Sequence, residues 1–255
     1  MSRDVNPAEF PRAGGASGPT LSVIVPCFNE EKNLPLLVNR TNLTLGTEKI
    51  PGEIVLVNDG SRDGTGAVID LLARQFQNVR TVHHEVNRGI VEGWRSGLAA
   101  SSGEWVLTTD ADLQYAPEDV PKLYREMETG RWDLVQGWRK DREDPSRMRE
   151  VLSVGLSRML QWAFSMDLED VKSGFVVYRR EVFSDILDFR QRYFSFQSLI
   201  TVAAHFKGYR IHQVPITFYM RHAGESFIQR PFLFSLKAAT DLPKAFYEYR
   251  IQKRR

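Results

Sequence analysis

The stretch Trp105–Gln114, WVLTTDADLQ, decides how the rest of this chain is read. It begins as a buried-strand run and ends on two carboxylates, Asp110 and Asp112, followed by the amide of Gln114. Alternate side chains of an extended chain share one face. The run therefore predicts three oxygen-bearing groups directed to one point at the carboxyl end of a strand, where open α/β sheets bind their ligands. Two carboxylates and an amide oxygen suit a hard divalent cation that keeps positions open for water and phosphate oxygens. The competing reading is a solvated acidic turn whose carboxylates cap the helix beginning at Pro117.

On either side of this stretch the chain alternates. LSVIVP (Leu21–Pro26) is a β-branched strand stopped by proline, and Glu31–Leu45 has helical composition with Pro35 in its first turn. Gly52–Asp59 is a second strand, GSRDG (Gly60–Gly64) a turn, and Thr65–Phe76 a helix. Val79–His84 and Trp132–Trp138 are further strands, and Gly89–Ala100 and Pro117–Thr129 are helices. Strands alternating with helices of about a dozen residues predict an α/β fold, a mainly parallel sheet with right-handed crossovers.

The second half changes character. Lys140–Glu150 is a charged loop that feeds a helix over Met148–Phe164. A short strand is expected in Ser173–Arg180, a helix over Ser195–Phe206, and a strand with a glycine-containing loop in Tyr209–Ser226. No repeat or linker divides the chain, so one domain is expected over residues 20–228. It lies between a Pro/Gly/Ala-rich leader (1–19) and a basic amphipathic tail (229–255).

The 34 Lys plus Arg against 32 Asp plus Glu give a net charge of +2, which points away from nucleic acid. A single cysteine, Cys27, excludes an internal disulfide and fits a reducing compartment. No run approaches the ~18 apolar residues of a spanning helix. A soluble or peripheral protein is expected, at the cytoplasmic face of a membrane if its substrate is a lipid.

Other stretches carry chemistry. NDGSRDG (Asn58–Gly64) lets backbone approach a ligand, with Asp59 able to accept from a base or ribose; the same residues also make an ordinary strand–helix turn. In VPCFNEE (Val25–Glu31), Glu30 follows the first strand, while Asn29 is a candidate cap and Glu31 suits a helix's positive end. Cys27 reads as a packed residue. Arg139, Arg142, Arg147 and Arg149 are a solvated charge run or a set of phosphate forks. The five histidines show no metal-ligand spacing, and neither a G-x-G-x-x-G nor a Walker pattern occurs.

Taken together, these motifs resemble family-two glycosyltransferases of the GT-A fold, most closely the polyprenyl-phosphate sugar transferases of the dolichol-phosphate mannose synthase and bacterial undecaprenyl-phosphate group. The resemblance is carried by VPCFNEE, VNDGSRDGT, NRG (Asn87–Gly89), TDADLQ with APED after it, QGWR (Gln136–Arg139), RMREVLS, DVKSGF (Asp170–Phe175) and GYRIHQVPITFYMRHAGES, in order from Leu21 to Ser226. It implies nucleotide-sugar contacts at Pro26, Glu30, Asp59, Asp110, Ala111 and Asp112. A Mg²⁺ or Mn²⁺ site is implied at Asp110, Asp112 and Gln114, and donor or acceptor phosphate contacts at Arg139, Arg149, Ser153 and Arg221. Ser173 falls near the acceptor, and Asp110, Asp112 and Arg149 fall at catalytic positions. The chain departs from the pattern at Asn58, where Asp is usual, at Gln197 and Gln213, where Glu is common, and at Phe227, where Lys is usual.

The implied reaction moves a sugar from a nucleotide-diphosphate donor to a polyprenyl monophosphate, inverting the anomeric centre. A phosphate with its second pKa near ~6 is largely dianionic at neutral pH and needs no general base. A hydroxyl acceptor on the same fold would need one, for which Asp170 and Glu169 are the candidates. The third reading is a nucleotide-sugar binding protein without catalysis. The tail holds seven Lys/Arg against two Asp/Glu, interleaved with apolar residues. It is read as lying at an anionic membrane surface or as a helix packed on the domain, and a lipid acceptor calls for a membrane surface or a membrane-embedded partner.

Overall fold

The structure, a computed structural model, describes residues 18, 20–142, 155, 158, 161, 162, 164–189, 191, 193–223, 233, 236–238 and 240–251. Seven strands form one sheet in the order β3-β2-β1-β4-β6-β5-β7. They are β1 (Leu21–Cys27), β2 (Gly52–Asp59), β3 (Val79–His84), β4 (Trp105–Thr108), β5 (Leu134–Arg142), β6 (Val176–Arg179) and β7 (Ile211–Phe218). All run parallel except β6, which is antiparallel to both neighbours, β4 and β5. The helices are α1 (Leu34–Thr47), α2 (Thr65–Gln75), α3 (Ile90–Ala100), α4 (Val120–Glu128), α5 (Arg180–Ile186), α6 (Ile200–Phe206) and α7 (Asp241–Ala245).

The strands are apolar on both faces because helices cover both. Val23, Val25, Ile54, Leu56 and Leu107 enter the core under α1, α2 and α4. Their neighbours Ile24, Val55, Val57 and Val106 enter the opposite core with Trp94 of α3 and Phe183 of α5. Each such side chain contributes about 1.5–3 kcal/mol when fully buried. Helix α3 lies close on β1: a Cβ on Gly97 would stand 2.3 Å from the Ile24 Cγ2, so only glycine fits there.

Pro26 does not stop β1 but sits inside it, opposite Val57 of β2. Ile24 accepts from Thr109 N on the β4 side, and Pro26, two residues on, faces that side beyond the last pair, Ile24–Thr108. The hydrogen bond its missing N–H would make is one that β4 is too short to receive.

The chain passes from β1 outward to β3 and then returns to the other side of β1 with β4. That reversal opens a crevice at the carboxyl ends of β1 and β4, the place where such sheets bind ligands.

The expected helices and strands lie within a few residues of their sequence positions, with two exceptions. The helix expected from Glu31 begins at Leu34, because the residues before it are occupied in the crevice. The helix expected over Met148–Phe164 falls largely outside the described residues, although 155, 158, 161, 162 and 164 are helical. In the tail, Asp241 accepts from Ser195 N at 2.8 Å and Glu248 from the Tyr193 hydroxyl at 2.7 Å, with Ala245 and Tyr249 buried. Phe246, Tyr247 and Ile251 face outward. Among the described residues no helix is long and apolar enough to cross a membrane.

Candidate active site

Three loops at the carboxyl ends of β1, β2 and β4 meet at the crevice. The first two latch together. Asn29, in the left-handed region at φ 58°, accepts from Arg62 N at 2.8 Å, and its own N–H donates to the Ser61 hydroxyl at 3.0 Å. Glu31 accepts from Gly64 N at 2.7 Å, at the start of α2. Both residues were expected to serve the following helix; instead they bind the neighbouring loop, which holds Glu30 over the sheet.

Asp59, the last residue of β2, is buried and nearly saturated. One carboxylate oxygen accepts from His84 Nδ1 and Arg88 N, each at 2.8 Å, and the other from Gly89 N at 2.8 Å. It thus ties the Asn87–Gly89 turn to the sheet, and His84 is itself braced by the Ser96 hydroxyl at 2.8 Å. Gly60 has φ 67°, and a Cβ there would strike the Val86 backbone at 2.4 Å, so this turn needs glycine for both conformation and space. Asn58 bonds Ser61 N at 3.1 Å and lies 3.3 Å from His83 Nδ1.

The third loop departs from the extended geometry expected for it. β4 ends at Thr108, and Asp110–Gln114 is a turn in which Leu113 takes φ 63°. A leucine in that region is strained by ~1–2 kcal/mol, and its side chain is buried in the core beneath. Asp112 Oδ1 accepts from Gln114 N at 3.0 Å, closing the turn. Asp110, Asp112 and Gln114 are therefore grouped by a tight turn, not by strand alternation. Ala111 is buried between the two carboxylates.

The segment after β7 straps this turn. Tyr219 N donates to Gln114 O at 2.9 Å, and the Gln114 amide returns a bond to Tyr219 O at 3.2 Å. His222 N donates to Asp112 O at 3.2 Å, and the Asn33 amide reaches Ala223 O at 3.2 Å. Arg221 on the strap points into the crevice, with one nitrogen 3.0 Å from Glu30 Oε1 and the other 2.8 Å from Asp112 Oδ2.

The carboxylates are electrostatically loaded. Burial, then the neighbouring Asp112 charge, pushes Asp110 up to about 7. Burial also raises Asp112 and Glu30, against the pull of Arg221 on both and of Asn33 on Glu30. Groups so disposed gain by gathering a further cation. Among the described residues no three His, Cys, Asp or Glu side chains close on one point as a complete metal cage. The donor set instead fits an ion that completes its shell with phosphate oxygens and water: Asp112 with the side-chain Oε1 of Gln114, Asp110 beside them, and a guanidinium already bridging Glu30 and Asp112.

On the other side of the crevice the expected groups are internally paired. Arg139 grips Asp170 with two bonds, Nε–Oδ2 at 2.6 Å and NH2–Oδ1 at 3.0 Å, and lies over the Phe218 ring. Asp170 also accepts from Lys172 N at 3.1 Å. Ser173 is fully buried, its carbonyl accepting from Gln136 Nε2 at 2.8 Å, with the Tyr115 hydroxyl beside its Oγ. Gln213 extends this network, donating to Gln136 Oε1 at 2.7 Å and Asp170 O at 2.9 Å. Pro26 packs at the base of the crevice, where a Cβ on Gly93 would touch its ring at 3.0 Å. Arg149, Ser153 and Phe227 lie outside the described residues.

Sequence reasoning missed Asn33, His84 and Tyr115. His84 ends a strand beside Asp59 in register, a pairing visible only once the strand order is known. The polar Asn33 and Tyr115 each sit one or a few residues from a quoted motif, without a pattern of their own.

A family model described as "Glycosyl transferase family 2" matches residues 22–187. Dodecaprenyl-phosphate galacturonate synthase of Rhizobium johnstonii is 30% identical over 167 residues, 65% of this chain and 49% of that protein. The chain thus spans about half the length of this curated relative. Among solved structures, glucosyl-3-phosphoglycerate synthase from Mycobacterium tuberculosis with Mn²⁺, uridine diphosphate and phosphoglyceric acid superposes with a TM-score of 0.68 at 20% identity, over 89% of this chain and 78% of that one. The same enzyme with Mg²⁺ and uridine diphosphate gives 0.67 at 21% identity, over 89% and 79%. At that identity the likeness concerns the fold.

Proposed function

The chain belongs to glycosyl transferase family 2, is a glycosyltransferase and has the GT-A fold, and on that premise we propose that it transfers a sugar from a nucleotide-diphosphate donor to a polyprenyl monophosphate with inversion. The observation that carries the acceptor half is the pairing of Asp170 with Arg139. A hydroxyl nucleophile needs a carboxylate base, and Asp170, buried and held by two guanidinium bonds, is spent on its arginine. Glu169 is exposed and anchored by its backbone to Gln213. A phosphate dianion needs no base, only positioning. The 30% identity to a dodecaprenyl-phosphate sugar synthase supports the same acceptor class.

Asp112 and Gln114 Oε1, with Asp110 adjacent, are the residues that would hold the divalent metal, Mg²⁺ or Mn²⁺. When bound it supplies positive charge against the departing diphosphate. The chain's own residues do the rest. Glu30, with Pro26 and Ala111 forming the floor, receives the nucleotide, and Asp59 fixes the Asn87–Gly89 turn beside it. The latched first and second loops give that half a fixed shape. Arg221, with Arg149 and Ser153 of the RMREVLS motif, presents the acceptor phosphate. Arg139 and Ser173 hold the wall behind it, through Asp170 and Tyr115. A lipid acceptor places the enzyme at the cytoplasmic face of a membrane, by its basic tail or a membrane-embedded partner.

The test is a panel of nucleotide sugars with Mn²⁺ or Mg²⁺ and a short polyprenyl phosphate, reading nucleotide release and lipid-linked product. Turnover that requires the lipid phosphate and is lost with chelator is expected. Transfer to a free sugar hydroxyl, lost in Asp170→Asn and indifferent to polyprenyl phosphate, would overturn the acceptor assignment.

A further inference from the structure

Arg221 stands in two roles that one side chain cannot fill at once. Its guanidinium bridges Glu30 Oε1 at 3.0 Å and Asp112 Oδ2 at 2.8 Å, and Asp112 belongs to the set that would hold the metal. The three carboxylates Glu30, Asp110 and Asp112 crowd a mostly buried crevice, each raised in pKa first by burial. Among the described residues Arg221 is the cation that reaches both Glu30 and Asp112. Arg139, the other arginine whose charge bears on Asp110, is committed to Asp170.

We infer that Arg221 is a built-in counter-ion for the metal site. It holds Asp112 while no divalent cation is bound, competes with that cation for the Asp112 oxygen, and is released from it when the cation arrives. This rests on the metal-dependent reading above. The released guanidinium remains on the strap, fixed at Tyr219 and His222 by backbone bonds to the Asp112–Gln114 turn. It stays beside the crevice with its fork unpaired on the Asp112 side, suited to a phosphate. Metal binding thereby creates the anion site, and by linkage an anion held by Arg221 strengthens metal binding by the same factor. A donor-first order of binding follows, since the acceptor phosphate finds Arg221 free only after the metal has displaced it.

The measurement is direct Mn²⁺ binding, by the loss of the free-ion paramagnetic signal, to the full chain without substrates. Native protein, Arg221→Ala and Arg221→Lys are compared, each with its melting temperature with and without Mn²⁺. Removing the competitor should tighten Mn²⁺ by at least about fivefold in Arg221→Ala, the lower end of typical couplings between sites. Arg221→Lys, whose compact ammonium lacks the planar fork that spans Glu30 and Asp112, should fall between, and it carries the test should the alanine variant fold poorly. Metal-free Arg221→Ala should melt below native protein and gain more from Mn²⁺. Unchanged or weaker Mn²⁺ binding in both variants overturns the counter-ion role while leaving the transferase reading intact. No Mn²⁺ binding by any of the three proteins, with or without uridine diphosphate, overturns both.

Discussion

The two ends of the sheet each bury carboxylates and treat them in opposite ways. At the amino end, Glu53 of β2 is 2% exposed, yet it accepts from the Ser22 hydroxyl at 2.8 Å, from Ser102 N at 2.5 Å and Oγ at 2.9 Å, and from Arg80 Nε at 2.5 Å. Burial pushes its pKa up, but these bonds together hold it below the usual range. At the carboxyl end, burial raises Asp110, Asp112 and Glu30 beyond what their donors offset, and the Asp112 charge adds to the rise of Asp110 and Glu30. One fold thus holds a finished carboxylate and an unfinished set. The difference is that between a carboxylate whose donors outweigh its burial and a set whose burial outweighs its donors.

That contrast can be broken at either end. The largest effect is expected from Asp112→Asn, which keeps the shape of the turn but removes the charge. Transfer should fall by at least about 10²-fold, the scale for losing one electrostatic stabiliser, with the melting temperature close to native. Nucleotide release and a thermal scan on the same preparation check both halves. Glu53→Gln should do the reverse. Its amide oxygen would keep the Ser22 and Ser102 bonds and its nitrogen would set a donor against Arg80 Nε–H, at a cost of about 2 kcal/mol in urea unfolding, while donor KM in the folded protein stays unchanged.

The smallest effect is the pH dependence of the metal-free protein. Asp110 has a folded pKa of about 7 against an ordinary 3.8, so between those values the folded state binds the extra proton and stability declines as pH rises. Glu53, depressed in the fold, contributes stability that is present above its ordinary 4.5 and lost as pH falls through its lower folded value. Asp110→Asn should flatten the decline between about pH 4 and 7 by a few degrees in melting temperature, and Glu53→Gln should remove only the acid-side loss. Thermal scans carried from neutral pH down below the ordinary Glu53 value separate the two.

The parallel half of the fold was legible because apolar runs at Val23–Val25, Ile54–Val57 and Val106–Leu107 repeat between helices, and periodicity encodes that directly. The direction of β6 was not, since Val176–Arg179 reads identically in either orientation and only its pairing with Thr108 and Gln136 fixes it. In the candidate site, the residue types of TDADLQ point to a cation, but they lie in a turn and not in the extended run expected for them. Leu113 carries no turn signal, and its positive φ is imposed by burial of its side chain and by the strap from Tyr219. The pairing of Arg139 with Asp170 was hidden for a related reason. Two charges 31 positions apart give no sequence sign that each is the other's partner.

The bridge at Arg221 also bears on how the chain comes to fold. Its contact with Glu30 closes a loop of 191 residues, among the longest the molecule makes. Contacts of such separation form late, after loop-closure entropy has been met by shorter-range pairing. Until the strap after β7 docks, Glu30, Asp110 and Asp112 are without the guanidinium of Arg221. A divalent cation present during that interval would do for the folding chain what Arg221 does for the finished one.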